Sequence, residues 1–150
     1  MTTQTKLVFL GGTCGKNNWR KPLIDKLVSR GVSADCLFNP VVDDWNEAAR
    51  EAEERAKENA SHMLFYIANP YLEGSTLSAY SMVEATMSLY DSMGFDTLPS
   101  TIVVFDSTDI EGHSLKAFNQ VEKVLRKRFP NAMIFGSLEE ATDKLVDLLK

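Results

Sequence analysis

Five short apolar runs, each followed by a segment with helical spacing, constrain the fold more than any other feature of this chain. The runs are Lys6 to Leu10, Ala34 to Phe38, His62 to Ala68, Thr101 to Phe105 and Ala132 to Phe135. They are apolar nearly throughout rather than alternating, the pattern of strands covered on both faces. Turn residues close the first three: Gly11-Gly12, Asn39-Pro40 and Asn69-Pro70.

Between the runs the apolar spacing changes to three and four. Pro22 suits the first turn of a helix that turns Leu23, Ile24, Leu27 and Val28 inward and stops at Gly31. A second helix is expected from about Asp44 to Asn59. Trp45, Ala48, Ala49, Ala52, Ala56 and Ala60 line one side of it, and the other side is nearly all charge. Glu51 with Arg55 and Glu53 with Lys57 are acid-before-base pairs four residues apart, which support a helix modestly. The third helix follows Gly74. Tyr80, Val83, Met87 and Tyr90 make its expected core face, with Glu84 at the edge and Ser81 and Ser88 sharing the glutamate's stripe. Gly94 to Ser100 is expected to be a loop. Leu115, Phe118, Val121 and Leu125 mark a fourth helix, with Phe129 extending its apolar side. Ser137, with Glu140 three residues on, forms a capping box for a fifth that turns Leu138, Ala141, Leu145 and Leu148 inward. The alternation predicts a single α/β domain over residues 1–150. It is a flavodoxin-like (Rossmann-like) five-stranded parallel sheet of order 2-1-3-4-5, with helices on both faces.

Charge and composition narrow the partners. The net charge is −5 and the basic residues are scattered or alternate with acids, which argues against a nucleic acid polymer. No apolar run approaches the length of a membrane span, and Met1 to Lys6 lacks the layout of a secretion signal, so a cytoplasmic protein is expected. Cys14 and Cys36 are too few for a disulfide framework and are read as free thiols.

In such sheets ligands bind beyond the carboxyl ends of the strands, near the switch between strands one and three. That rim carries Gly11 to Arg20, Asn39 to Trp45, Asn69 to Glu84 and Asp106 to Asp109. Gly11-Gly-Thr-Cys-Gly-Lys16 is neither a P-loop nor a dinucleotide fingerprint, because Leu10 stands where a glycine is required and Asn17 where the P-loop needs Ser or Thr. It is either a tight strand-to-helix turn or a glycine turn that lets backbone N–H groups approach a ligand, with Lys16, Asn17 and Arg20 in reach. Trp45 is either core or a stacking wall for a planar ring. Glu84 is either a half-solvated boundary residue or a carboxylate kept under-hydrated for chemistry. Of the acids on the second helix, most form a solvated face, and Glu53 is the one that can turn toward the rim. His62 and His113 are isolated, no metal-ligand spacing occurs, and there is no Gly-x-Ser-x-Gly elbow. A receiver-like signalling domain fits poorly, since Gly11-Gly12 and Asn69-Pro70 occupy the places of its acids.

Taken together, Phe9-Leu-Gly-Gly-Thr13, Trp19-Arg20, Phe38-Asn-Pro-Val41 with Trp45, and Ser81-Met-Val-Glu84 resemble the nucleoside 2-deoxyribosyltransferase family, in its short-chain form. The resemblance spans about Lys6 to Leu89. It implies cleavage of the bond between a sugar's anomeric carbon and a nucleobase, with Glu84 as nucleophile and an acid near Glu53 assisting the base. It also implies a sugar and base pocket lined by Gly11, Gly12 and Thr13. The same rim adds Lys16, Trp19, Arg20, Asn39, Pro40, Asp44, Trp45, Asn69, Gly74 and Ser81 as candidate substrate contacts, and Arg20 with Lys16 would suit a 5′-phosphate. No metal or cofactor is implied. The partners implied are a small nucleoside or nucleotide and further copies of the chain, since family members complete the pocket with a neighbouring subunit. Two departures stand out: Thr86 replaces a glycine two residues after the nucleophile, and Ser78 replaces an aspartate six before it. A non-catalytic module that senses a nucleotide-like ligand is the alternative on the same fold.

Overall fold

In the computed structural model, which describes residues 6–75, 77–94 and 100–150, the first apolar run forms strand β1 (Val8–Gly12), buried along its whole length. It lies in the middle of the sheet. Parallel partners flank it: β2 (Leu37–Phe38) on one side and β3 (His62–Ile67) on the other. Beyond β3 come β4 (Ser100–Phe105) and β5 (Met133–Phe135), completing an all-parallel five-stranded sheet of order β2-β1-β3-β4-β5. The flavodoxin-like order expected from the alternation is therefore the observed one.

The chain alternates strand and helix throughout: α1 (Arg20–Ser29), α2 (Glu47–Asn59), α3 (Ala79–Gly94), α4 (Gly112–Arg128) and α5 (Leu138–Leu149). Side chains of successive strand residues point to opposite faces, so the sheet supports two cores. Val8, Leu10, Leu64 and Tyr66 pack with Leu23 and Leu27 of α1 and with Ala141 and Leu145 of α5. Phe9, Met63, Phe65 and Ile67 pack with Ala56 of α2, Ala85 and Leu89 of α3, and Phe118 and Leu125 of α4. Ser137 caps α5 by accepting from the Glu140 N–H at 3.3 Å, while the Glu140 carboxylate accepts from the Gly136 N–H at 3.2 Å. Gly31 ends α1 at φ 96°.

Several local expectations are corrected. Most consequential is α3, whose expected core face is its outer face: Tyr80, Val83, Met87 and Tyr90 are 73%, 57%, 60% and 48% exposed. The inner face is made of Ser81, Ala85 and Leu89, with Ser88 and Ser92 bonding the Thr101 hydroxyl of β4 at 2.7 and 2.8 Å. Small residues let α3 lie close to the sheet, and hydroxyls whose partners are supplied can be buried at little cost. Ala34–Cys36 is a 3₁₀ turn rather than strand, so β2 is only two residues long. The second helix starts at Glu47 behind the Asn46 cap, whose side chain accepts from the Ala49 N–H at 2.9 Å. Asp44 and Trp45 thus fall in the preceding loop, and Trp45 is 54% exposed rather than core. Val28 and Ala48 also face outward. The loop expected over Gly94 to Ser100 lies largely outside the described residues; Gly94 closes α3 and Ser100 opens β4.

Candidate active site

The site begins with the turn after β1. Gly12 takes φ 121°, and a Cβ there would stand 2.3 Å from the Tyr66 carbonyl oxygen, so only glycine fits. The Thr13 N–H then donates to that carbonyl at 2.8 Å. The Thr13 hydroxyl accepts from the Ala68 N–H, and the Thr13 and Ser78 hydroxyls lie within hydrogen-bond distance of each other and of the Ala68 carbonyl, which their two protons share. These contacts tie the β1 turn to the segment leading from β3 into α3.

Arg20 and Trp19 brace the turn from behind. Trp19 is buried; its Nε1 donates to the Thr13 carbonyl at 2.7 Å and its ring lies against Tyr66. Arg20 is 5% exposed, and its Nε and guanidinium nitrogens donate to the carbonyls of Leu10, Thr13 and Gly12 at 2.8, 3.1 and 3.2 Å. Burial pulls its pKa below the ordinary arginine value, against the charges of Cys14, Glu53 and Glu84.

In front of this turn, at the carboxyl ends of β1 and β3, opens a cavity of about 530 Å³. Gly11, Gly12, Thr13 and Arg20 line its floor, Pro40 and Trp45 one wall, and Ser81, Glu84 and Glu53 the helical side. The remaining candidates stand outside the lining. Trp19, Asn39 and Asn69 organise backbone: the Asn39 carboxamide accepts from the Val41 N–H at 3.0 Å, and the Asn69 side chain holds Tyr71 and Asp109 at 2.7 and 2.8 Å. Lys16, whose N–H donates to the Pro70 carbonyl at 2.8 Å, and Asp44 and Gly74 lie on exposed loops.

The two acids that line the cavity meet at one cation. Lys57 of α2 donates from Nζ to Glu84 Oε2 at 2.8 Å and stands 3.4 Å from Glu53 Oε1. All three side chains are part-buried, at 31% exposure for Lys57, 19% for Glu84 and 23% for Glu53. The ammonium also lies 5.3 Å from the centre of the Phe9 ring, itself in the cavity lining. Burial opposes the charge on Lys57. The hydrogen bond and charge of Glu84, then the charges of Glu53 and Tyr80, outweigh it and hold the lysine above its ordinary pKa.

Sequence reasoning had Lys57 only as a helix-stabilising partner of Glu53. Its position four residues after Glu53, on the stripe that carries Ala56 and Ala60, was the signal that both turn inward. It also missed Val41, Val42, Leu72, Leu77 and Tyr80 as residues that frame the cavity mouth. The first four lie on loops with no periodicity from which to read a direction, and Tyr80, on α3, has the spacing of a core residue. Among the described residues no three His, Cys, Asp or Glu side chains gather as a metal site would need, and no helix is long and apolar enough to cross a membrane.

Fold and pocket together define a flavodoxin-like protein with a cavity at the strand-end rim, beside two carboxylates around one ammonium. The chain belongs to the nucleoside 2-deoxyribosyltransferase-like family, whose model matches residues 5–93. That match runs from β1 through most of α3 and contains Glu53, Lys57 and Glu84. Among curated proteins no significant match is found. The family ties the chain to glycosyl transfer on a small nucleoside-type substrate.

Proposed function

We propose that the protein cleaves the N-glycosidic bond of a nucleoside through a covalent glycosyl-Glu84 intermediate, passing the sugar to a second base or to water. The observation that carries this reading is the convergence of Glu84 and Glu53 on one cavity wall. Both carboxylates touch the same ammonium, at 2.8 and 3.4 Å, so one can attack the anomeric carbon while the other serves the base on that carbon.

In the first step a Glu84 oxygen attacks the anomeric carbon, the carbon–nitrogen bond breaks, and Glu53 delivers a proton to the departing base. In the second, Glu53 takes a proton from the incoming water or base as that nucleophile displaces the ester oxygen. Trp45, half-exposed at the cavity wall, offers a face to the nucleobase, and Gly11 with Gly12 leaves room for the sugar.

Both cationic groups at the cavity are already engaged, Arg20 by backbone carbonyls and Lys57 by carboxylates, which favours an uncharged nucleoside over a 5′-phosphate. An assembly of identical cytoplasmic chains belongs to the same reading. The exposed Tyr80, Val83, Met87 and Met93 beside the open cavity support it.

The test is release of free base from a panel of nucleosides and mononucleotides, with and without an acceptor base. Wild type should release base, and Glu84→Gln should lower the rate at least about 10³-fold with an unchanged melting curve. Base release by Glu84→Gln at the wild-type rate would remove the nucleophile assignment. Saturable ligand binding with no base release would instead make the protein a sensing module.

A further inference from the structure

We propose that Lys57 is a positioning residue for glycosyl transfer: it fixes one oxygen of Glu84 so the other meets the anomeric carbon, and it shifts its pairing to Glu53 as the ester forms. The inference rests on the glycosidic reading above and adds a residue that neither the motif pattern nor the cavity lining identifies.

The geometry supports it in three ways. The ammonium stands behind both carboxylates rather than in the lining, so substrate can occupy the cavity without displacing it. It touches Glu84 more closely than Glu53, 2.8 against 3.4 Å, so the nucleophile is the acid it restrains before reaction. It also lies 5.3 Å from the centre of the Phe9 ring, an aromatic face that favours the cation and leaves the two acids as its hydrogen-bonding and ionic partners.

Charge movement then makes a cation at this point useful. When the glycosyl bond to Glu84 forms, that carboxylate becomes a neutral ester. In the same step Glu53 gives its proton to the leaving base and becomes the anion. One unit of negative charge has crossed from one partner of Lys57 to the other. An ammonium is a compact charge with rotatable donors on a flexible stem, and it can follow that transfer by a small swing. A guanidinium fork would hold fixed directions.

The charged and titratable groups facing this cluster are Glu53 and Lys57 on α2, Glu84 and Tyr80 on α3, and Arg20 from beneath, beside Cys14. Arg20 is held by three carbonyls. Lys57 is therefore the cation whose pairing is free to change within this group.

The experiment compares wild type, Glu84→Gln, Lys57→Met and Lys57→Arg in kcat and KM for base release, on the nucleoside that wild type turns over best. Glycosyl-enzyme is followed by intact-mass measurement after acid quench. Lys57→Met keeps the stem over Phe9 and removes the charge. It should lower kcat about 30- to 100-fold, leave KM within about threefold, and slow the appearance of glycosyl-enzyme. Lys57→Arg, which restores the charge, should recover part of kcat.

A wild-type kcat for Lys57→Met would overturn the proposal. So would a loss that falls on KM rather than kcat, or one that Lys57→Arg does not relieve, since that is the signature of a purely structural lysine. If Lys57→Met does not fold, Lys57→Gln is read by the same criteria. Base release by wild type but not by Glu84→Gln, with Lys57→Met unaffected, sinks the lysine alone. No base release by wild type sinks the glycosidic reading and the lysine's role with it.

Discussion

Arg20 shows how a residue's neighbours decide its task. Beside a glycine turn at a strand end it has the sequence profile of a phosphate ligand, yet in the fold it donates to the carbonyls of Leu10, Gly12 and Thr13. Leu10 lies beyond the residues that the short β2 pairs, and Gly12 and Thr13 lie at and past the end of β1, so these carbonyls cannot all be met by strand pairing and a buried guanidinium fills the deficit. Nothing in the spacing of Gly11 to Arg20 records that deficit, which appears only once the turn has its conformation. His62 carries a second residue-level consequence. Burial first, and the charge of Lys6 second, hold its pKa below the ordinary value, and Ser61 Oγ lies 2.8 Å from its Nδ1. The unfolded chain therefore binds the proton more readily than the folded one. This contribution to stability is complete above about pH 6.5 and is lost as the pH falls through that value toward the folded pKa. Urea midpoints measured from pH 7.5 to 5 should decline for wild type and decline less for His62→Gln; equal slopes would remove His62 as the cause.

At the scale of elements, α2 and α3 were legible to different degrees for a physical reason. On α2 the alanines fall on one stripe and charge on the other, so the inner side is readable, and Glu53 and Lys57 lie along its border. On α3 large apolar residues and small hydroxyl residues occupy opposite sides, and hydrophobicity alone selects the wrong one. The hydroxyls become buriable only because Thr101 of the neighbouring strand answers Ser88 and Ser92, a pairing no local window contains. The outer stripe of Tyr80, Val83, Met87 and Met93 is then a surface to be covered, and a second copy of the chain is its occupant in the functional reading. Two substitutions on one helix separate the faces. Leu89→Ala, at a site 3% exposed, should cost about 2–5 kcal/mol in chemical denaturation. Met87→Glu should leave the fold intact while light scattering falls from the mass of an assembly to that of one chain. A wild-type sample that already scatters as a single chain would refute the assembly.

At the scale of the whole molecule, the strand order was legible because alternation and right-handed crossovers leave few topologies, and that order alone puts the cavity between the ends of β1 and β3. What the cavity holds was legible only in part, since Glu84 and Glu53 come from helices whose rotation about their axes is set by packing. The way the cations are engaged bears on substrate choice. Arg20 is held by three backbone carbonyls and Lys57 by Glu84 and Glu53, within a chain of net charge −5. A neutral nucleoside enters without disturbing those pairings, whereas a 5′-monophosphate brings up to two negative charges to a site whose cations are committed. Such a ligand must either stay unpaired or draw Lys57 from the nucleophile, and both raise the barrier. The kcat/KM for a nucleoside should exceed that for its 5′-monophosphate by at least about tenfold at low ionic strength. The gap should narrow in about 0.5 M salt as the Debye length contracts. Equal or better turnover of the monophosphate would mean that a cation reaches the cavity in the complex, with Lys16 on the adjacent loop the first residue to replace.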